Sequence, residues 1–426
     1  MFDSSRGGND TFTGPSFAGG ALHYTFYGDA AGGMFDFARG GDDTFTFASP
    51  SNTAYGDAGD DMSDHSKGGN DIFSGVGPAT NTFYGDAGGD MSGHARGGDD
   101  TFTGGSGGGI NTFYGDAGGS MSGHAWGGND TFTGGAFTSN VSYGDAGGNM
   151  SDHARGGNDT FTGGGFSFNT FYGDAGGDMS GHAQGGDDIF TGIIDLPAPS
   201  SNIFYGDAGG SMSGYAQGGN DSFTGGVLSS HTFYGDAGAN MAGHAQGGND
   251  AFAGGNSSGP GSTSNILFGD AKSMSGCAEG GDDTLVGGSS SGTGSTSNIL
   301  FGDAESMSGC AEGGDDILFA GTAAPGGTVS NEMWGDGLLL GDAAGGRDLF
   351  VFKDDGPATV GTENTIGDFS QSQHDQIKFS NVAGVHSFND LVITQSGTDT
   401  LVTAGADQVT LHNFAGSLTA NDFLFA

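Results

Sequence analysis

The chain has 426 residues, enough for two or three ordinary domains, but 94 are glycine and only 9 are Lys or Arg against 51 Asp or Glu, a formal net charge of −42. That balance argues against nucleic acid and anionic membrane surfaces, both of which demand basic patches, and glycine without a period of three excludes collagen. No apolar run of about 18 residues is present, so no transmembrane helix is expected, and two cysteines make no disulfide framework.

At the start, MFDSSRGGND has neither a basic stretch nor an apolar one, so it does not read as a secretory signal peptide. Met1 stands nine residues before Asp10, the same offset as Met91 before Asp100, so the sequence opens inside a repeat. One unit of that repeat reads NTFYGDAGGDMSGHARGGDDTFTGG, from Asn81 to Gly105. Its Gly-Asp anchor recurs at Asp29, Asp57, Asp86, Asp116, Asp145, Asp174, Asp207, Asp236, Asp270, Asp303 and Asp336. A second anchor, GGND or GGDD, ends in Asp10, Asp43, Asp71, Asp100, Asp130, Asp159, Asp188, Asp221, Asp250, Asp283 and Asp316, with GGRD at Asp348 as a variant. The first anchor precedes the second by 14 residues in eight consecutive units, then by 13 twice and by 12 once. The return distance varies from 14 to 20. Fixed spacing within and loose spacing between describe a rigid segment joined by surface loops, such as SGGGI after Gly105 and IIDLPAPSS after Gly192.

Three apolar columns run through the units. Two residues after the second anchor come Phe12, Phe45, Phe73, Phe102, Phe132, Phe161, Phe190, Phe223, Phe252, Leu285 and Leu318. A methionine column runs from Met34 through Met91 and Met121 to Met307. An aromatic column precedes the first anchor, from Tyr27 through Tyr84 and Tyr114 to Phe268, Phe301 and Trp334. Single apolar residues between Thr or Ser and glycine corners predict very short strands, and a glycine every few residues disfavours helix. One unit cannot bury its own face, so the expected fold is all-β, a parallel β-solenoid with these columns as its core. About eleven repeats of roughly 30 residues fill 1–344.

Stacking sets each aspartate about 4.8 Å from its copy in the next coil. Like charges there repel by roughly 1 kcal/mol in water and several-fold more near protein, so the columns call for a cation. Calcium takes six to eight oxygen ligands, and G-G-x-D turns offer carboxylates and unobstructed carbonyls. All the anchor aspartates are therefore candidate metal ligands, with several Ca²⁺ ions as cofactor. The unit GGNDTFTGG resembles the nonapeptide G-G-x-G-x-D-x-U-x of the repeats-in-toxin (RTX), or hemolysin-type calcium-binding, family. In one unit Gly98, Asp100 and Phe102 take the second-glycine, Asp and large-apolar roles. The half-unit YGDAGGDM departs from the pattern: Asp86 stands where the family often has glycine, and the usual aspartate is Asp61, Asp90 or Asp178 in some units but Ser120, Asn149, Ser211 or Asn240 in others. The resemblance implies a calcium-loaded β-roll over residues 1 to about 350.

After Gly345 the pattern changes. Alternation in DQIKFS, DLVITQSG, DTLVTAGA and DQVTLHNF predicts strands, so 345–426 is expected to form a small β-rich cap. This stretch, ending SLTANDFLFA, resembles the C-terminal region of RTX proteins with its uncleaved type I secretion signal. It implies export through type I machinery from a Gram-negative bacterium to the cell surface or medium, where calcium folds the chain.

Other constellations are weaker. No HExxH occurs, and the GxSxG matches at Gly104–Gly108 and Gly288–Gly292 are chance in so Gly- and Ser-rich a chain. A column of His65, His94, His124, His153, His182 and His244 is interrupted by Phe37 and Tyr215, which marks a tolerant outer position rather than a transition-metal site. Cys277 and Cys310 continue that column in adjacent units, and either a disulfide or a reduced pair suits them. Thr-x-Thr pairs such as Thr101/Thr103 resemble an ice-binding face but fail at Ile72/Ser74 and Ala251/Ala253. The expected function is a non-enzymatic, secreted, structural or adhesive calcium-binding protein that self-associates end to end into filaments or a surface layer. The alternatives are the calcium-binding secretion module of a larger toxin or hydrolase, and an ice-binding solenoid.

Overall fold

The computed structural model describes residues 1–14, 23–48, 51–193, 199–353 and 362–426, so most of the insertion after Gly192 lies outside the described residues. They fall into two compact units, one of Met1–Ile193, Ser200–Asp221 and Asp236–Ala239, the other mainly of Ser222–Gly235 and Asn240–Ala426. Each is the parallel β-solenoid that the repeat predicts. Among the described residues helix is confined to two short 3-10 turns, Phe388–Asp390 and Ala420–Asp422, and no helix is long and apolar enough to cross a membrane.

In the first unit each coil carries a short strand, such as Thr101–Thr103, and a five-residue strand, such as Ile110–Tyr114. Each strand pairs in parallel with its copy one coil away, Phe102 beside Phe132 and Asn111 beside Asn140. From Gly115 to Gly128 the chain makes an excursion without an extended strand, which forms isolated parallel bridges to its neighbours at alanine, methionine and a mostly basic position, as in Ala87–Ala117, Met91–Met121 and Arg96–Trp126. Two cores result. Phe102 and Phe113 fill one; Ala117, Met121 and Ala125 fill the other, all fully buried. The Phe rings repeat nearly face to face, with centroids 5.0 Å apart from Phe73 to Phe102 and 4.9 Å from Phe102 to Phe132. Between strands runs a buried asparagine column in which Asn81 Nδ2 donates to Asn111 Oδ1 at 2.9 Å and Asn111 Nδ2 to Asn140 Oδ1 at 2.8 Å. Each amide thus spends a donor on the next coil and an acceptor on the last, which removes most of the penalty for burying it.

The aromatic column is placed differently from the expectation. Alternation puts Phe83 and Phe113 inward, whereas Tyr84 and Tyr114 are half-buried on the outer face. Their rings stack at 4.7 Å and lie over the glycines that follow the next anchor: a side chain at Gly118 would strike the Tyr84 ring. In an alternating strand the residue next to the buried Phe must face out.

The second unit repeats the scheme, keeping Phe223 and Phe252 and then changing to leucine at the fully buried Leu285 and Leu318, with longer strands such as Ser262–Phe268 and Ser295–Phe301. The parallel ladders run on past residue 344 through Leu349–Lys353 and Gln376–Ser380. There Leu391–Ser396, Asp399–Ala404 and Asp407–Leu411 form the expected polar-turn strands, paired antiparallel, and Phe423–Phe425 pairs in parallel with Gln376–Ser380.

Candidate metal centre

The two anchors frame the neck between the cores. After the Tyr114 strand the chain turns at Gly115-Asp116 into the excursion, and it returns at Gly127-Gly128-Asn129-Asp130. Both aspartate columns point into this neck. Of the 23 predicted ligands, Asp10 is exposed and Asp29 half-buried in the first coils, and all the others are buried.

The columns hold the backbone in different ways. Each first-anchor carboxylate closes its own excursion: the Gly98 N–H donates to Asp86 Oδ2 at 2.9 Å, and Gly128 N–H to Asp116 Oδ2 at 2.9 Å. The same clasp recurs at Asp57–Gly69, Asp270–Gly281, Asp303–Gly314 and Asp336–Gly346. Each second-anchor carboxylate joins neighbouring coils: the Asp71 N–H donates to Asp100 Oδ1, and the Asp100 N–H to Asp130 Oδ1, both at 2.6 Å. Aspartate is short enough to reach both partners from a tight turn, which is the physical reason that glutamate takes neither place.

These bonds leave oxygens over. The Oδ2 atoms of Asp43, Asp71, Asp100, Asp130, Asp159, Asp188, Asp283, Asp316 and Asp348 are buried without a hydrogen-bond donor, as is Oδ1 of Asp57 and Asp86. All of these Oδ2 atoms but that of Asp348 converge with a carbonyl on a first-anchor glycine: a side chain at Gly85 would strike both Asp100 Oδ2 and the Gly115 carbonyl, and one at Gly115 both Asp130 Oδ2 and the Gly144 carbonyl. One at Gly97 would strike carboxylates of Asp116 and Asp86. Burial, then the charges of Asp86 and Asp71, push the Asp100 carboxyl well above its ordinary range. Burial raises Asp43 to about 7 against the lowering effect of the Asp10 N–H.

A buried carboxylate with no compensating partner costs several kcal/mol. It must therefore be neutralised by a proton or a cation. The donor set is all oxygen, carboxylate plus glycine carbonyl, which fits a hard cation such as calcium and suits zinc or copper poorly. Among the described residues no three His, Cys, Asp or Glu side chains converge to hold a metal, so a cation here would draw on backbone carbonyls and water beside the aspartates.

Other predicted positions lie apart from the neck. Asp61, Asp90, Ser120, Asn149 and Asp178 form an outer column in which each side chain accepts from the next coil's backbone, Asp90 Oδ1 from the Ser120 N–H at 2.7 Å and Asn149 Oδ1 from the Asp178 N–H at 2.8 Å. Asp, Asn and Ser all accept, so they interchange there. The residue before each histidine is left-handed, with φ of 63° at Asp64, 70° at Gly93 and 62° at Asp152, and only Gly or Asp fills it in these coils. The histidines are exposed and stack face to face, 5.0 Å from His94 to His124, so they do not converge on a metal. Cys277 and Cys310 are joined as a disulfide across adjacent coils, their Cα atoms 4.6 Å apart.

Two members of the columns are absent from the sequence pattern. Asp368 accepts from the N–H groups of Gly335, Asp336 and Gly337 at 2.8 to 3.1 Å, and Asp375 from those of Asp348 at 3.2 Å and Ser370 at 2.8 Å. Their signal is a Gly-Asp at Gly367 and an aspartate just before the QIKFS strand. Comparison of the chain with known proteins gives no assignment: no family model matches it, and no curated protein matches its sequence.

Proposed function

We propose that this chain is a calcium-folded, non-enzymatic solenoid of the RTX type that works outside the cell as a structural or adhesive element. One observation carries the reading: the buried, donor-free carboxylate oxygens repeated coil after coil at the neck. In scarce calcium these columns repel and oppose folding; in abundant calcium each spare oxygen gains a partner and the coils can close. Such a chain suits export before folding, and the apolar tail SLTANDFLFA would then address it to type I machinery. Asp86 and Asp100 would be ligands from the two columns, with Gly115 lending its carbonyl. The bound ion would neutralise the neck, and the aspartates themselves clasp the excursion and tie coil to coil.

The ice-binding alternative has the exposed, in-register pairs Thr101/Thr103 and Thr131/Thr133 in its favour. It is weakened by Ile72, Ile189 and Ala251 on the same face. Calcium titration of the chelator-treated protein at neutral pH, followed by circular dichroism, tests the main reading. A rise in β content with calcium, and none with sodium, is expected. Equal β content with and without chelator would sink it.

A further inference from the structure

The outer edge of the excursion in the first unit carries a second periodic feature. The bridge column there reads Arg6, Arg39, Lys67, Arg96, Trp126, Arg155, Gln184 and Gln217. It holds five of the chain's 9 Lys and Arg residues. At about 4.8 Å per coil the column is roughly 34 Å long. Two residues before Lys67, Arg96, Trp126, Arg155 and Gln184, across a buried Ala or Ser, runs the exposed histidine column, its rings 4.9 to 5.1 Å apart from His65 to His182 and stacked from His94 onward. A groove of about 250 Å³ lies between the columns, lined by His94, Arg96, His124, Trp126, His153 and Arg155.

Two observations separate this strip from an incidental surface. In a chain with 51 acidic residues none of the five cations enters an ion pair among the described residues, although Asp64, Asp99 and Asp152 border the strip. And the guanidiniums of Arg96 and Arg155 stack on Trp126, 4.6 and 5.3 Å from its ring centre. Stacking holds a guanidinium's faces and leaves its N–H edges for a carboxylate. With Arg96 one coil before Trp126 and Arg155 one coil after, both indole faces are taken, so the ring is no platform for a nucleobase.

We infer that this strip binds a linear acidic polysaccharide laid along the coils. The strongly acidic background disfavours a polyanion as densely charged as nucleic acid. A uronate chain carries one carboxylate per ring with hydroxyls between, which matches guanidiniums interspersed with imidazole and Gln184 and Gln217 amide groups. The inference does not depend on which cation fills the neck.

The test uses the full chain in calcium with a Trp334→Phe background, which leaves Trp126 as the sole indole. A galacturonate hexamer should change its emission, with affinity falling as salt rises. In the Arg96→Gln/Arg155→Gln variant the dissociation constant should rise tenfold or more, while Arg347→Gln leaves it unchanged. Glutamine is native in this column at Gln184 and Gln217, so the variant should fold, and circular dichroism of the same samples reports that separately from binding. No binding, or equal binding by the folded double variant, would overturn the inference. Tighter binding of a single-stranded oligonucleotide of equal charge would overturn the ligand class. A doubling of mass by light scattering without ligand, abolished in the double variant, would assign the strip to a second copy of the chain instead.

Discussion

The two units build the same neck from different surroundings. In the first, the core above it is stacked phenylalanine, and the excursion's outer edge is basic and histidine-rich. In the second, leucine replaces phenylalanine at Leu285 and Leu318, Glu279 and Glu312 stand in the arginine column, and a disulfide stands in the histidine column. Through these changes Asp270, Asp303 and Asp336 clasp glycine backbone as Asp86 and Asp116 do. A core needs only apolar volume, and many side chains supply it. The neck needs a short carboxylate against a bare glycine, and nothing else has that shape.

The largest effect should come from attacking what both units share. Burial raises Asp43 and Asp368 to about 7 and Asp375 to about 8, from an ordinary 3.8. Without a cation, the folded chain holds protons that the unfolded chain gives up above about pH 4. Stability should then be full at pH 3.8 and below, fall as pH rises, and level off above pH 8. In chelator, circular dichroism should show β structure retained at pH 4 and lost near pH 8, and calcium should restore it at pH 8. Loss at acid pH instead would mean that the columns are not proton-neutralised.

Core substitutions come next and should separate core from neck. Phe102→Ala in the first unit should cost about 3–5 kcal/mol and Leu285→Ala in the second about 2–5 kcal/mol, at any calcium level. Asp100→Ala should instead raise the calcium needed for folding. Denaturant melts at several calcium concentrations would read both, and full rescue of Phe102→Ala by calcium would break the division between core and neck.

That division is only partly legible in the sequence. Periodicity gives the solenoid, the Phe and Met columns and the pairing of the two anchors, because stacking turns every repeated residue into a ladder. It does not say that the anchors face inward: a G-G-x-D turn is usually a surface feature, and the neck exists only once the excursion folds back on itself. Nor does it separate Tyr84 from Phe83, since adjacent aromatic columns look alike until alternation assigns one to each face. Asn81 and Asn111 do not stand out as a ladder, because asparagine beside a strand reads as turn. Of the last members, Asp368 keeps its glycine but precedes Asp375 by 7 residues rather than 12 to 14, and Asp375 has lost the paired glycines before it, so the repeat's ruler does not reach them.

Opening the Cys277–Cys310 disulfide should affect the second unit alone. Bridging residues 33 apart stabilises by about 2–4 kcal/mol in the chain-entropy view. Reductant or Cys277→Ser/Cys310→Ser should therefore lower the melting of the leucine coils and leave the phenylalanine coils unchanged. Hydrogen exchange resolved by peptide would distinguish the two. Uniform loss across both would show that they do not unfold separately.

The smallest effect isolates one residue in the asparagine column. His231 takes that place in the second unit, pairing in register with Asn265, and its ring lies 3.3 Å from the Gly226 carbonyl. Burial lowers its pKa from 6.5 to about 4, so the folded protein keeps the ring neutral while the unfolded chain takes up a proton. The stability it contributes is complete above pH 6.5 and drains away as pH falls to about 4, opposite in sign to the aspartate columns. His231→Asn should restore the amide ladder and remove this loss. Denaturant midpoints of the calcium-loaded protein should then differ between wild type and variant more at pH 4.5 than at pH 7.5. A constant difference would mean that His231 takes up its proton as readily in the fold as in the unfolded chain, and that the ladder tolerates a cation where the next coil places the Asn265 amide.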